Sequence, residues 1–144
     1  MRRFTALMLY GFALLLAACS ATQTPVAPGA VTGAAQAGPD KAVIYIYREL
    51  GGVDTPTPTP ISLDDKPLGN LVTYGYFRVV VSPGDHVISS PSWSTTPLTL
   101  HTAKGKTYYV SQELIPRQPK PIVLLNWVDE NTGKRGIGRG SQIN

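Results

Sequence analysis

The side chains able to do chemistry in this 144-residue chain are few: His86 and His101, the carboxylates of Asp64, Asp65 and Asp85, and the single thiol of Cys19. Nucleophilic catalysis by Ser or Thr needs a nearby His oriented by a carboxylate. Asp85 and His86 are adjacent in sequence, and neighbours on a strand point to opposite faces, so they read as a turn residue followed by a strand start. His101 is opposite in phase to Leu98 and Leu100 and is expected to face solvent. Two histidines without a short fixed spacing and without a spare Cys make no zinc set. Asp64 and Asp65 lack the surrounding oxygen ligands of a Ca²⁺ site. The expectation is a chain with no catalytic residues, no metal and no cofactor. A second reading uses Trp93, in the Ser/Thr/Pro-rich loop Ser89–Pro97. It would border a surface cleft with His101 in a small carbohydrate-binding or hydrolytic domain, or else fold back as a lid on the core.

Cys19 carries the most specific motif. Arg2 and Arg3 precede an uncharged apolar run, Phe4–Ala18. This is the layout of a secretory signal peptide and is shorter than the ~20 residues that span a bilayer as a helix. The run ends in Leu16-Ala17-Ala18-Cys19, which resembles the lipobox of bacterial lipoproteins, in which the Cys is acylated and becomes the new N-terminus. Residues 1–18 are expected to be the signal and Cys19 the lipidation site, which leaves no thiol for a disulfide or a nucleophile. Each buried lipid CH₂ contributes ~0.8 kcal/mol, so a multiply acylated Cys would hold firmly to a bilayer. Ser20 stands where an Asp commonly retains such proteins at the inner membrane. The expected location is therefore the cell envelope, on the outer membrane facing the periplasm. The chain has 13 basic and 9 acidic residues, and removing Arg2 and Arg3 leaves 11 basic, so a nucleic-acid partner has little electrostatic support.

Residues 19–39 follow with Ala, Gly, Thr, Gln, Val and Pro and no apolar periodicity, and read as a flexible tether. From Asp40 the segments between turn signals are rich in Val, Ile, Tyr and Thr, the signature of strands. Ala42–Tyr47 is apolar on both faces and should be a central strand. Gly51–Pro60, with Thr-Pro repeats, should be an extended loop or edge. Asp64-Asp65-Lys66-Pro67 should turn a hairpin between Ile61–Leu63 and Leu68–Leu71. In Tyr74–Val81, Phe77, Val79 and Val81 should face the core. Ser82-Pro83-Gly84-Asp85 suits a type II turn, with His86–Ser89 returning as the partner strand. Ala103–Lys106 reads as a hairpin loop between Leu98–Leu100 and Thr107–Ser111, and Ile122–Val128 as a further strand. The Gly-rich residues 131–144 read as a frayed tail.

Short strands joined by turns, without helical spacers, predict an all-β fold: a small antiparallel β-sandwich over residues 40–130. The succession Val43–Arg48, Ser82-Pro83-Gly84-Asp85-His86 and Gly105-Lys106-Thr107-Tyr108-Tyr109-Val110 resembles a family of short bacterial lipoproteins with a β-rich domain of unknown function. The resemblance implies a sandwich similar to prealbumin-like and PEGA-type envelope domains, with no catalytic residues. The expected role is a structural or interaction module, not an enzyme, anchored in the bilayer through Cys19 and contacting an envelope protein or peptidoglycan. A basic surface formed by Lys134, Arg135 and Arg139 is the alternative membrane contact.

Overall fold

The computed structural model describes residues 38–51, 57–91, 96–119 and 121–144. The expected signal, Cys19, most of the tether and Trp93 lie outside the described residues. Among the described residues, nine strands form two packed sheets, giving the expected sandwich. One sheet contains, in spatial order, β8 (Ile122–Val128), β7 (Thr107–Ile115), β1 (Ala42–Arg48), β4 (Gly75–Val81) and β9 (Ser141–Gln142). The other contains β3 (Lys66–Leu71), β2 (Thr59–Leu63), β5 (Gly84–Ser89) and β6 (Leu98–Thr102).

β1 lies in the middle of its sheet, as its two apolar faces require. Ala42, Ile44 and Ile46 point inward and are fully buried. They join Ile61, Leu63, Phe77, Ile88, Leu100, Val110, Leu114 and Val123 in one core. Each of the Val, Leu, Ile and Phe side chains contributes roughly 1.5–3 kcal/mol on burial. Phe77 and Val81 are buried and Val79 packs against the same core, so the expected phase of β4 is correct.

The hairpin at Asp64-Asp65 also forms: both residues have positive φ, 50° and 61°. This is the geometry of a two-residue type I′ turn matched to strand twist. β2 begins earlier than expected, at Thr59, and includes Pro60. Pro60 pairs with Asn70 on one side, and β5 reaches only Ser62 and Leu63 on the other, so the missing N–H costs no ladder bond there.

Two expected hairpins are corrected. Gly84 has a positive φ, 139°, but it opens β5 instead of completing the expected type II turn, whose third residue sits at ~80°, and β5 does not return beside β4. It crosses to the second sheet and pairs with β2 and β6. Likewise β7 does not pair with β6. It crosses back to lie parallel to β1, with Val43 opposite Thr107, and extends to Ile115 beside β8. Parallel strands cannot be joined by a tight turn, so the second sheet is part of the connection between β1 and β7.

The expected tail is also corrected. Glu130–Ile137 form helix α1, and β9 then adds to the sheet edge beside β4. Asp129 caps the helix by accepting from the N–H groups of Asn131 and Thr132, and Glu130 sits in the first turn with Lys134 and Arg135 in the last. These placements complement the helix dipole. The glycines make the docking possible. A Cβ on Gly133 would come within 2.1 Å of the Tyr109 ring, and one on Gly136 within 2.1 Å of Tyr47. The pair lies on one helix face at i, i+3.

Gly136→Ala is therefore expected to cost about 1–3 kcal/mol by overpacking, or to undock α1. Lys134→Ala on the exposed face should leave the unfolding midpoint nearly unchanged. Urea unfolding of both variants checks this, and equal midpoints would contradict the docking.

Candidate functional site

Sheet geometry separates the two histidines. On β5, His86 shares a face with Leu100 across the pair, whereas Asp85 lies opposite His101. His86 and Asp85 thus take different partners. His86 Nδ1 lies 2.7 Å from Asp64 Oδ2, in the β2–β3 turn, and Nε2 lies 2.8 Å from the carbonyl of Ser82. Both partners are acceptors only, and a neutral imidazole carries a single N–H. Both contacts are therefore satisfied together only by the imidazolium. Burial opposes that charge, but the hydrogen bonds from His86 to Asp64 and Ser82 outweigh it and raise the His86 pKa. Asp64 moves down: partial burial opposes ionisation, and the hydrogen bonds from His86 and from Val87 N–H more than offset it.

His101 is exposed on β6, as expected, with Nδ1 2.7 Å from Asp85 Oδ1. Among the described residues, no hydrogen bond joins a hydroxyl to either imidazole. No group of three or more His, Cys, Asp or Glu there could hold a metal ion. Of the expected Trp93–His101 cleft, Trp93 lies outside the described residues and only His101 is placed.

The aromatic residues divide by strand phase. Tyr45, Tyr47, Tyr76 and Tyr109 occupy the outer face of the β8-containing sheet, in register across β4, β1 and β7. Tyr45 stacks on Tyr109 with centroids 5.4 Å apart and planes 10° from parallel. It meets Tyr76 at 5.9 Å and 56°. Such contacts add ~0.5–1.5 kcal/mol beyond burial. Burial under α1 raises the pKa of Tyr47 and of Tyr109. Trp127 differs: on the edge strand β8 it is 61% exposed.

Sequence reasoning missed two polar features. At the far end of β1, Arg48 is buried on the core face, where it donates to the carbonyls of Thr57 and Leu71 and to Thr73 Oγ1. Thr59 donates to Gln112 Oε1 at 2.8 Å, and Gln112 Nε2 is buried without an acceptor among the described residues. Beside this set, Tyr47, Glu49, Leu50, Gln112 and Glu113 line a depression of ≈ 170 Å³. The second feature is at the opposite end. Lys41, Arg78 and Lys106 line an open basin of ≈ 420 Å³ with Pro39, Val43 and Gly105. The signal for it was present only as isolated cations at strand starts and on an outward strand position.

The His86–Asp64 pair gives stability a pH dependence. The raised His86 pKa contributes stability that is complete below its unfolded value, ~6.5, and is lost as pH rises through the folded value. The lowered Asp64 pKa contributes stability that is lost as pH falls through the acid range. The melting temperature should therefore decline from pH 6 toward pH 9. Asp64→Asn, which tolerates the positive φ of the turn, should flatten that decline. A wild-type profile as flat as the variant's would refute the pair's contribution.

Comparison with curated proteins and with solved structures finds no match. Residues 38–123 match the family described as Protein of unknown function (DUF2846), from the entry into β1 to the first residues of β8. This match covers more than half of the chain, and the protein belongs to that family of unknown function.

Proposed function

We propose that this protein is a membrane-anchored module of the bacterial cell envelope that acts through contact with a partner rather than by catalysis. One observation carries the reading: the chain's single Cys stands directly after Leu16-Ala17-Ala18, at the end of an uncharged run that follows two arginines. Acylation of Cys19 would place about twenty tether residues between the bilayer and β1. The partner is an envelope protein or peptidoglycan, and the anchor is the outer membrane facing the periplasm.

The imidazole chemistry is consistent with a non-catalytic role. A His86 whose two ring nitrogens are both engaged by acceptors has no lone pair with which to act as a base.

The test is metabolic labelling with radioactive palmitate in the expressing host, followed by in-cell crosslinking. The wild type should take up label, sediment with membranes and yield a specific crosslinked protein or peptidoglycan fragment. Cys19→Ala should lose the label and the membrane association. An unlabelled wild-type protein would overturn the anchoring. A labelled protein that crosslinks only to background would overturn the interaction role.

A further inference from the structure

The basin at the start of β1 is built from three separate stretches of chain. Lys41 immediately precedes β1, Lys106 immediately precedes β7, and Arg78 lies on β4 opposite Tyr45. The β4-β1-β7 order brings them to one end of one sheet face. Backbone hydrogen bonds fix the arrangement: Val43 N–H donates to the Lys106 carbonyl at 3.0 Å and Gly105 N–H to the Lys41 carbonyl at 2.8 Å. The loop can turn there because Gly105 holds a φ of 70°.

Among the described residues these cations have no acidic partner. Among the described residues no carboxylate lines the basin, and none of the ion pairs includes Lys41, Arg78 or Lys106. Lys41 donates to Ser82 Oγ, at 3.0 Å. Asp40 is adjacent in sequence and exposed. The basic residues of the C-terminal segment are treated differently: Lys134 pairs with Glu130, Arg139 pairs with Glu49, and Arg135 donates to Thr132. Like charges gathered without counter-charges repel one another, and a bound anion relieves that repulsion. A planar guanidinium that shares one basin with two ammonium groups suits phosphate oxygens, which Arg takes in a bidentate fork and Lys takes as a point charge.

The chain's own path selects the source of that phosphate. Gly38 and Pro39 line the same basin, so the polypeptide arriving from Cys19 enters the domain there. Residues 19–37, nineteen in all, reach on the order of 25 Å as a coil. We infer that the Lys41–Arg78–Lys106 basin docks on the phosphate groups of anionic lipid headgroups, seating the domain against the membrane that holds its tether. This inference rests on the anchoring proposed above.

The protein as purified from cells would be placed with vesicles of phosphatidylcholine alone or of phosphatidylcholine with phosphatidylglycerol. Lysine acetylation rates would then be read by mass spectrometry, with Lys66 in the β2–β3 hairpin as internal reference. Phosphatidylglycerol should slow acetylation of Lys41 and Lys106 several-fold relative to Lys66, and added salt should reverse the effect. Arg78→Gln should weaken this protection on the order of 5-fold, the contribution of one cation near an anionic surface. Circular dichroism would confirm that the variant remains folded, and Lys106→Gln, read at Lys41, gives a second variant. Equal rates on both vesicles would overturn the docking. Equal protection by soluble glycerol phosphate on neutral vesicles would replace the lipid surface with a free phosphate ligand. Flotation on neutral vesicles, compared with Cys19→Ala, reads the anchor separately, so a failed anchor and a failed basin give different results.

Discussion

A strand that must be covered on both faces dictates the arrangement of everything else. In β1, six of the seven residues are buried and only Tyr45 is partly accessible. One sheet face cannot supply that coverage. Ile44 and Ile46 require the second sheet above them, and Tyr45 and Tyr47 require their own cover below. The lateral neighbours are equally constrained: β4 pairs antiparallel with β1 and β7 pairs parallel. A parallel neighbour implies a long crossover, and the chain uses that crossover to build β5 and β6 over the core. Covering β1 and connecting its neighbours are thus accomplished by the same residues.

The cover on the outer face explains the composition of the C-terminal segment. A helix carrying bulky residues would stand off the tyrosine rings by the depth of its own side chains. Gly133 and Gly136 let the helix backbone lie directly on Tyr109 and Tyr47, where dispersion contacts are numerous. The cost is weak intrinsic helicity, at roughly 1 kcal/mol per Gly. The Asp129 cap and the Glu130–Lys134 pair partly offset it. The helix therefore depends on the sheet that it covers, as short helices generally depend on tertiary packing.

This dependence marks where the sequence was legible. Local signals were sufficient for β1, for the phase of Phe77 and Val81, and for the Asp64-Asp65 turn, because each is set by period-two patterning or by the φ of one or two residues. The Gly-rich segment after Asp129 was misread because its stability comes from Tyr47 and Tyr109, distant in sequence. A closer reading of Asp129-Glu130 followed by Lys134-Arg135 as cap and dipole signals would have found it. The two false hairpins have the same origin. Turn chemistry at Pro83-Gly84 and Gly105 reports that the chain bends but does not identify the sheet receiving the next strand. The His86–Asp64 contact and the basin were illegible for a related reason: both join residues brought together only by strand order.

The two ends of β1 treat the same kind of charge in opposite ways. Arg48, at the exit, is buried against the core, and its guanidinium is spent on the carbonyls of Leu71 and Thr57 and the hydroxyl of Thr73. Removing a guanidinium from water is costly, and its hydrogen bonds must be supplied within the protein. They tie β1 to the segments flanking β2 and β3, closing the sandwich at that end. Lys41 and Lys106, at the entrance, are exposed beside the half-buried Arg78 without such closure. A cation satisfied by backbone carbonyls is structural, because those acceptors belong to the fold and are present whenever the protein is folded. Cations grouped on a rigid strand frame and left to solvent contribute little to that fold. Their placement is explained by an anion that arrives from outside, at the end where the chain itself enters.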